Sequence, residues 1–163
     1  MVFIIGGTPG WTFAQTVGEE AEMERLRVKA EEAMANDDPD GAAMSIGKAA
    51  LMASELAKRE ISPIKGRLYR GAEALFRAQE DAYRALALFR RAGGEAPASS
   101  GVCGTLRLAQ SNLQHALKLL DEDRSSGETA SDAATGGRMK LLREMAEAWN
   151  TVIASMHTDF QCA

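Results

Sequence analysis

Side chains able to ligate a metal, carry a proton or act as a nucleophile are sparse in this chain. Of its 163 residues only two are histidine and two are cysteine. There is no glycine-rich phosphate loop, no Ser/His/Asp order and no paired zinc-ligand spacing. His115 falls about 180° round its helix from Leu106, which directs it to solvent. His157, four residues after Ile153 and near Trp149, borders an apolar stripe and is the candidate axial ligand for a haem. Met23 could be its partner only if the first helix starts where the last one ends, which four alternating helices allow and five do not. The covalent haem motif CxxCH is absent. Met44 with Met52, or Met23 with Met34, offers thioethers for copper, but as core filler these residues need no metal. Glu31, Glu32, Glu144 and Glu147 invite a carboxylate-bridged dimetal site. Such sites pair Glu with a His three residues later, and neither histidine has that neighbour. We assign no catalytic residue, no metal and no cofactor from these signals.

The cysteines carry a clearer message. Cys103 opens one helix and Cys162 follows the end of the next. An antiparallel hairpin of about twenty residues up and about twenty-two back, at 1.5 Å per residue, brings the two sulfurs to one end. A disulfide there implies an oxidising compartment. Residues 1–15 agree with export. Met1 to Ile5 is apolar, Gly6 to Gly10 breaks any helix, and Thr12 and Ala14 stand three and one residues before the Ala14–Gln15 bond. That is how the end of a signal peptide reads. Its short apolar region and missing basic start are expected if the true start lies upstream. Residues 1–15 are thus a truncated signal peptide or a disordered N-terminal arm, and 16–163 form one helical domain. The destination is the periplasm or the exterior, with the cytoplasm as the alternative.

One internal periodicity stands out. Seven-residue units place Leu68, Leu75, Ala82 and Phe89 on one face, with Gly71, Ala78, Ala85 and Ala92 beside them. Alternating large and small residues suit close helix pairing. Tyr69, Phe76 and Tyr83 border this seam. Arg70, Arg77, Arg84 and Arg91 lie about 200° round from it and face outward. Residues 62–93 hold seven basic and three acidic side chains, whereas 18–35 hold three basic and six acidic. The arginine row is a candidate site for an anionic partner: a protein, a lipid headgroup or a carboxylate ligand. It also reads as a solvated face, because Glu73 and Glu80 precede Arg77 and Arg84 by four, the favourable pairing order.

Phe76, Ala85, Phe89, Ala92 and Pro97 fall at spacings that resemble the second half of a tetratricopeptide repeat. The likeness covers about thirty residues. It departs at Glu73, which stands where the repeat has a small residue, and no second copy follows at the expected period. The resemblance implies a cytosolic adaptor built of helical hairpins.

The elements that must position these residues are all helical. The composition is 45% hydrophobic but 6% aromatic, alanine-rich, and without runs of Val, Ile and Thr. Helices are expected over residues 18–35, 39–61, 63–92, 102–123 and 138–160. Asp38-Pro39 and Ser62-Pro63 are cap-plus-proline starts, and Gly93-Gly94 is a stop. Residues 124–137 read as a polar loop with at most a helical turn near Asp132. The fourth helix buries Val102, Leu106, Ala109, Leu113, Ala116, Leu117 and Leu120. The fifth buries Met139, Leu142, Ala146, Trp149, Ile153, Met156 and Phe160. Short connections make neighbours antiparallel. The fold class is an all-α antiparallel helical bundle of four to five helices. No stretch approaches about 20 apolar residues, so no transmembrane segment is expected. A net charge of -4 argues against nucleic acid as a partner. The expected function is non-catalytic binding of a partner protein or small ligand by an exported bundle. A haem- or metal-carrying redox bundle and the tetratricopeptide-like adaptor are the alternatives.

Overall fold

The computed structural model describes residues 10–121 and 133–162, with side chains from Thr16 onward. Five helices follow one another: α1 (Gly10–Ala35), α2 (Pro39–Arg59), α3 (Pro63–Arg91), α4 (Ser100–Asp121) and α5 (Ala133–Asp159). α1 starts eight residues earlier than expected and runs through the Ala14–Gln15 bond. α5 starts five residues earlier than expected, at the point where only a turn was read. None of the described helices is long and apolar enough to cross a membrane.

Local chemistry sets the helix ends. The Asp38 carboxylate accepts from the Gly41 amide at 2.8 Å and Pro39 occupies the first turn. Ser62 and Pro63 repeat the device. At their C-termini α1, α3 and α5 share one closing pattern. Asp38, Gly94 and Cys162 donate their amides to the carbonyls of Ala33, Phe89 and His157, five residues back, at 2.9, 2.9 and 3.0 Å. In each case the preceding residue has positive φ: Asp37 at 62°, Gly93 at 103° and Gln161 at 52°. Only Gly93 is the residue type that adopts this conformation at little cost.

The helices alternate in direction. Arg59 at the end of α2 pairs with Glu19 in the first half of α1 at 2.8 Å. Arg91 at the end of α3 pairs with Asp40 at the start of α2 at 2.7 Å. Asn112 of α4 donates to Asp81 of α3 at 3.0 Å, and Arg143 of α5 donates to the Leu120 carbonyl at the end of α4 at 2.9 Å. α3 is central and packs on α2, α4 and α5; α1, among the described residues, packs closely on α2 alone.

The core is built largely from the stripes read in the sequence, although Phe89, Leu117, Leu142, Trp149 and Met156 are half-buried at its edge rather than inside it. Leu68, Leu75, Ala82, Gly71, Ala78 and Ala85 are all buried on α3, whereas Ala92 is exposed beyond its end. A Cβ added to Gly71 would come within 2.7 Å of Leu120, so this glycine lets α4 approach. On α2, Gly47 plays the same part for a side chain: its missing Cβ leaves room for the buried Glu80 carboxylate.

At the end where α3 and α5 finish, the bundle is fastened three ways. Cys103 and Cys162 form a disulfide with Cα atoms 5.4 Å apart. Phe89 and Phe160 stack with ring centroids at 4.1 Å. The Ala98 amide donates to the Phe160 carbonyl at 2.8 Å. The positive φ at Gln161 turns the chain out of α5 and sets Cys162 beside Cys103.

Candidate ligand-binding cleft

The other end is less closely packed among the described residues. α1 and α5 run in the same direction above α3, and their backbones do not pack against each other among the described residues. Between them lies a cleft of about 410 Å³. Its floor is the face of α3 formed by Leu68, Tyr69, Ala72 and Phe76, all buried. α1 supplies Ala21 and Met23, and α5 supplies Leu142 and Met145. At the mouth stand Val17, 63% exposed, and Leu141, 58% exposed. Two large apolar side chains presented to water on either side of one hollow are an informative surface feature.

The narrowness of the apolar stripe on α1 explains the gap. Met23, Leu26 and Ala30 are its described buried hydrophobic residues, enough to cover one neighbour. The rest of its surface carries charge: Arg27, beside the cleft, pairs with Glu24 at 2.6 Å and with Glu31, and the exposed Arg25 pairs with Glu22 at 2.6 Å.

A polar cluster bridges the cleft. The Tyr69 hydroxyl donates to the Glu20 carboxylate, and Arg138 donates to the same Oε1 at 2.7 Å. The Arg138 guanidinium also lies over the Tyr69 ring, 5.9 Å from its centroid. Burial, and then the neighbouring Glu20 carboxylate, push the Tyr69 hydroxyl well above the ordinary tyrosine range, so it remains a donor. The four charges of the lining, Glu20, Glu24, Arg27 and Arg138, are two of each sign and are paired with one another.

None of the sequence candidates lines this cleft except Met23. The arginine row is only partly free. Arg77 and Arg84 both hold the buried Glu80, at 2.7 and 2.5 Å, and Arg91 holds Asp40. The Glu80–Arg84 pair is as expected, but Arg77 pairs forward with Glu80 rather than back with Glu73. Arg70 is exposed and makes no ion pair among the described residues. His115 is exposed. His157 is half-buried in the last turn of α5, at the disulfide end, while Met23 lies in the cleft; five helices keep the two apart. Among the described residues no three His, Cys, Asp or Glu side chains are grouped to hold a metal ion.

Sequence reasoning missed Glu20 and Arg138 as a pair because 118 residues separate them. Tyr69 was visible only as one of an aromatic row. No known protein family, curated protein or solved structure matches this chain.

Proposed function

We propose that this protein binds a small molecule with an apolar body in the cleft between α1 and α5, as a carrier or sensor rather than a catalyst. The observation that carries this reading is the cleft itself. It has the volume of a small-molecule site, apolar walls and a few convergent polar groups. Met23 and Met145 give those walls the adaptable shape that suits ligand binding. We further propose that the protein works in an oxidising compartment, outside the cytoplasm. The Cys103–Cys162 disulfide and the signal-like pattern at Thr12 and Ala14 support this reading together.

The test uses N-phenyl-1-naphthylamine, a neutral apolar dye that fluoresces when it leaves water. The protein should bind it saturably, and Ala21→Phe, which fills the cleft from the exposed side of α1, should weaken binding about tenfold. Native mass spectrometry of protein from its own host should show a bound small molecule. No saturable dye binding, or equal binding by the Ala21→Phe variant, would overturn the proposal.

A further inference from the structure

The polar cluster that bridges the cleft is asymmetric. Its two donors, Tyr69 and Arg138, stand on α3 and α5, which pack on each other. Its acceptor, Glu20, comes from α1, whose backbone among the described residues approaches that of α2 alone. The donors therefore belong to the body of the bundle, and the carboxylate arrives from its edge. Tyr69 is 2% exposed and fixed among core residues, and Arg138 is held over its ring. A hydroxyl and a guanidinium converging on one carboxylate oxygen form a charge-assisted receptor for a carboxylate, placed against apolar walls.

We propose that Tyr69 and Arg138 are a binding site for the carboxylate of a small monocarboxylic acid with an apolar tail, and that Glu20 is its resident, exchangeable occupant. This rests on the cleft reading and names its ligand class. In the exchange Glu20 swings to solvent, where its half-buried side chain already has access, and the ligand's carboxylate takes its two hydrogen bonds. One carboxylate replaces another, so the polar contacts are nearly balanced and burial of the tail along Ala72, Phe76, Leu142 and Met145 drives binding. Neither a quaternary ammonium nor an alcohol reproduces this exchange: the first would face Arg138, and the second would leave it without a counter-charge.

The experiment is calorimetric titration of the full chain with octanoate and with 1-octanol, each at low and at physiological salt. Octanol that buries its tail to the same depth displaces Glu20 without replacing its charge, so octanoate should bind at least about tenfold more tightly, the difference expected of a charge-assisted hydrogen bond. Arg138→Gln should erase that preference and leave octanol binding in place. Tyr69→Phe, which removes one oxygen and keeps the ring, should weaken octanoate by about fivefold without affecting octanol. Glu20→Gln removes the competing charge, so it should tighten octanoate by about threefold, the worth of an ion pair of this exposure. That gain is the distinctive result, because a merely structural Glu20 would give weaker binding. Equal binding of octanoate and octanol, or weaker octanoate binding by Glu20→Gln in a variant with unchanged melting, overturns the assignment while leaving the cleft reading intact. No binding of either compound overturns both.

Discussion

At the end where α1, α3 and α5 finish, Phe89 stacks on Phe160 and a disulfide joins α4 to the chain leaving α5. At the end where the same three helices begin, Val17 and Leu141 border an open cleft, and a polar cluster is what spans it. α3, α4 and α5 are fastened to one another at the first end, whereas at the second α5 stands apart from α1 among the described residues. The difference follows from side-chain size and charge. Near the fastened end, aromatic rings and the disulfide fill the space between α3, α4 and α5. Near the open end, α1 offers a narrow apolar stripe and then charges, so α5 finds no matching surface on it. A bundle arranged this way can open one side while the opposite end keeps its register.

The largest effect should come from breaking the fastened end. The disulfide closes a separation of 59 residues. Replacing Cys103 and Cys162 with Ser should cost about 2–4 kcal/mol and lower the melting temperature by about 5–12 °C. Cleft ligands should still bind at low temperature, because the donors lie at the far end. Thermal denaturation by circular dichroism, with dye binding measured on the same samples, checks both parts. Loss of binding in a folded double variant would show that the two ends are coupled.

A middle-sized effect separates packed from open surface. Ala78 is fully buried in the α3 seam, so Ala78→Leu should overpack and destabilise by about 1–3 kcal/mol. Ala21→Phe also enlarges an alanine, but into the cleft from an exposed position, and should change stability by less than about 0.5 kcal/mol. Urea unfolding midpoints measure the two directly. Equal costs would mean that the cleft is as tightly packed as the seam.

The smallest effect is spectroscopic. The chain has two tyrosines, one in each kind of environment. Tyr69 belongs to the cleft, and Tyr83 packs edge-on against Trp149 with centroids 5.3 Å apart. Burial pushes Tyr83 up to about 12, and burial with the Glu20 hydrogen bond pushes Tyr69 higher than its ordinary range as well. Each therefore keeps its proton in the folded chain to higher pH than in the unfolded chain. Their contribution to stability is present below about pH 10 and is lost as pH rises toward the folded value. Absorbance at 295 nm should show neither tyrosine ionising in its normal range while the fold persists. Octanoate should leave the Tyr83 transition where it is.

Much of this architecture was legible residue by residue. Asp38-Pro39, Ser62-Pro63 and Gly93-Gly94 mark helix ends because capping and positive φ are local demands that a few residue types meet. The spacing of Leu106, Leu113 and Leu120, and of Met139, Ala146 and Ile153, marks buried faces because a helix repeats every 3.6 residues. The disulfide was legible too, since helix lengths and alternation alone bring Cys103 near Cys162. Of the N-terminal segment, residues 1–9 lie outside the described part of the chain, and the Ala14–Gln15 bond lies within α1.

What the tertiary structure alone decided is which faces remain without a partner. Periodicity says that a helix has an apolar stripe, but the number of neighbours needed to cover it depends on distances among all five helices. That is why the seam of α3 was readable and the cleft beside it was not. It is also why the arginine row, regular in sequence, divides in space: Gly47 admits the Glu80 carboxylate, which then holds Arg77 and Arg84. Glu20, Tyr69 and Arg138 meet because α1, α3 and α5 run in the same direction and each carries its residue within its first three turns or so. No spacing in the chain encodes that meeting, since hydrogen-bond partners are chosen by position in space and the sequence specifies only order along a line.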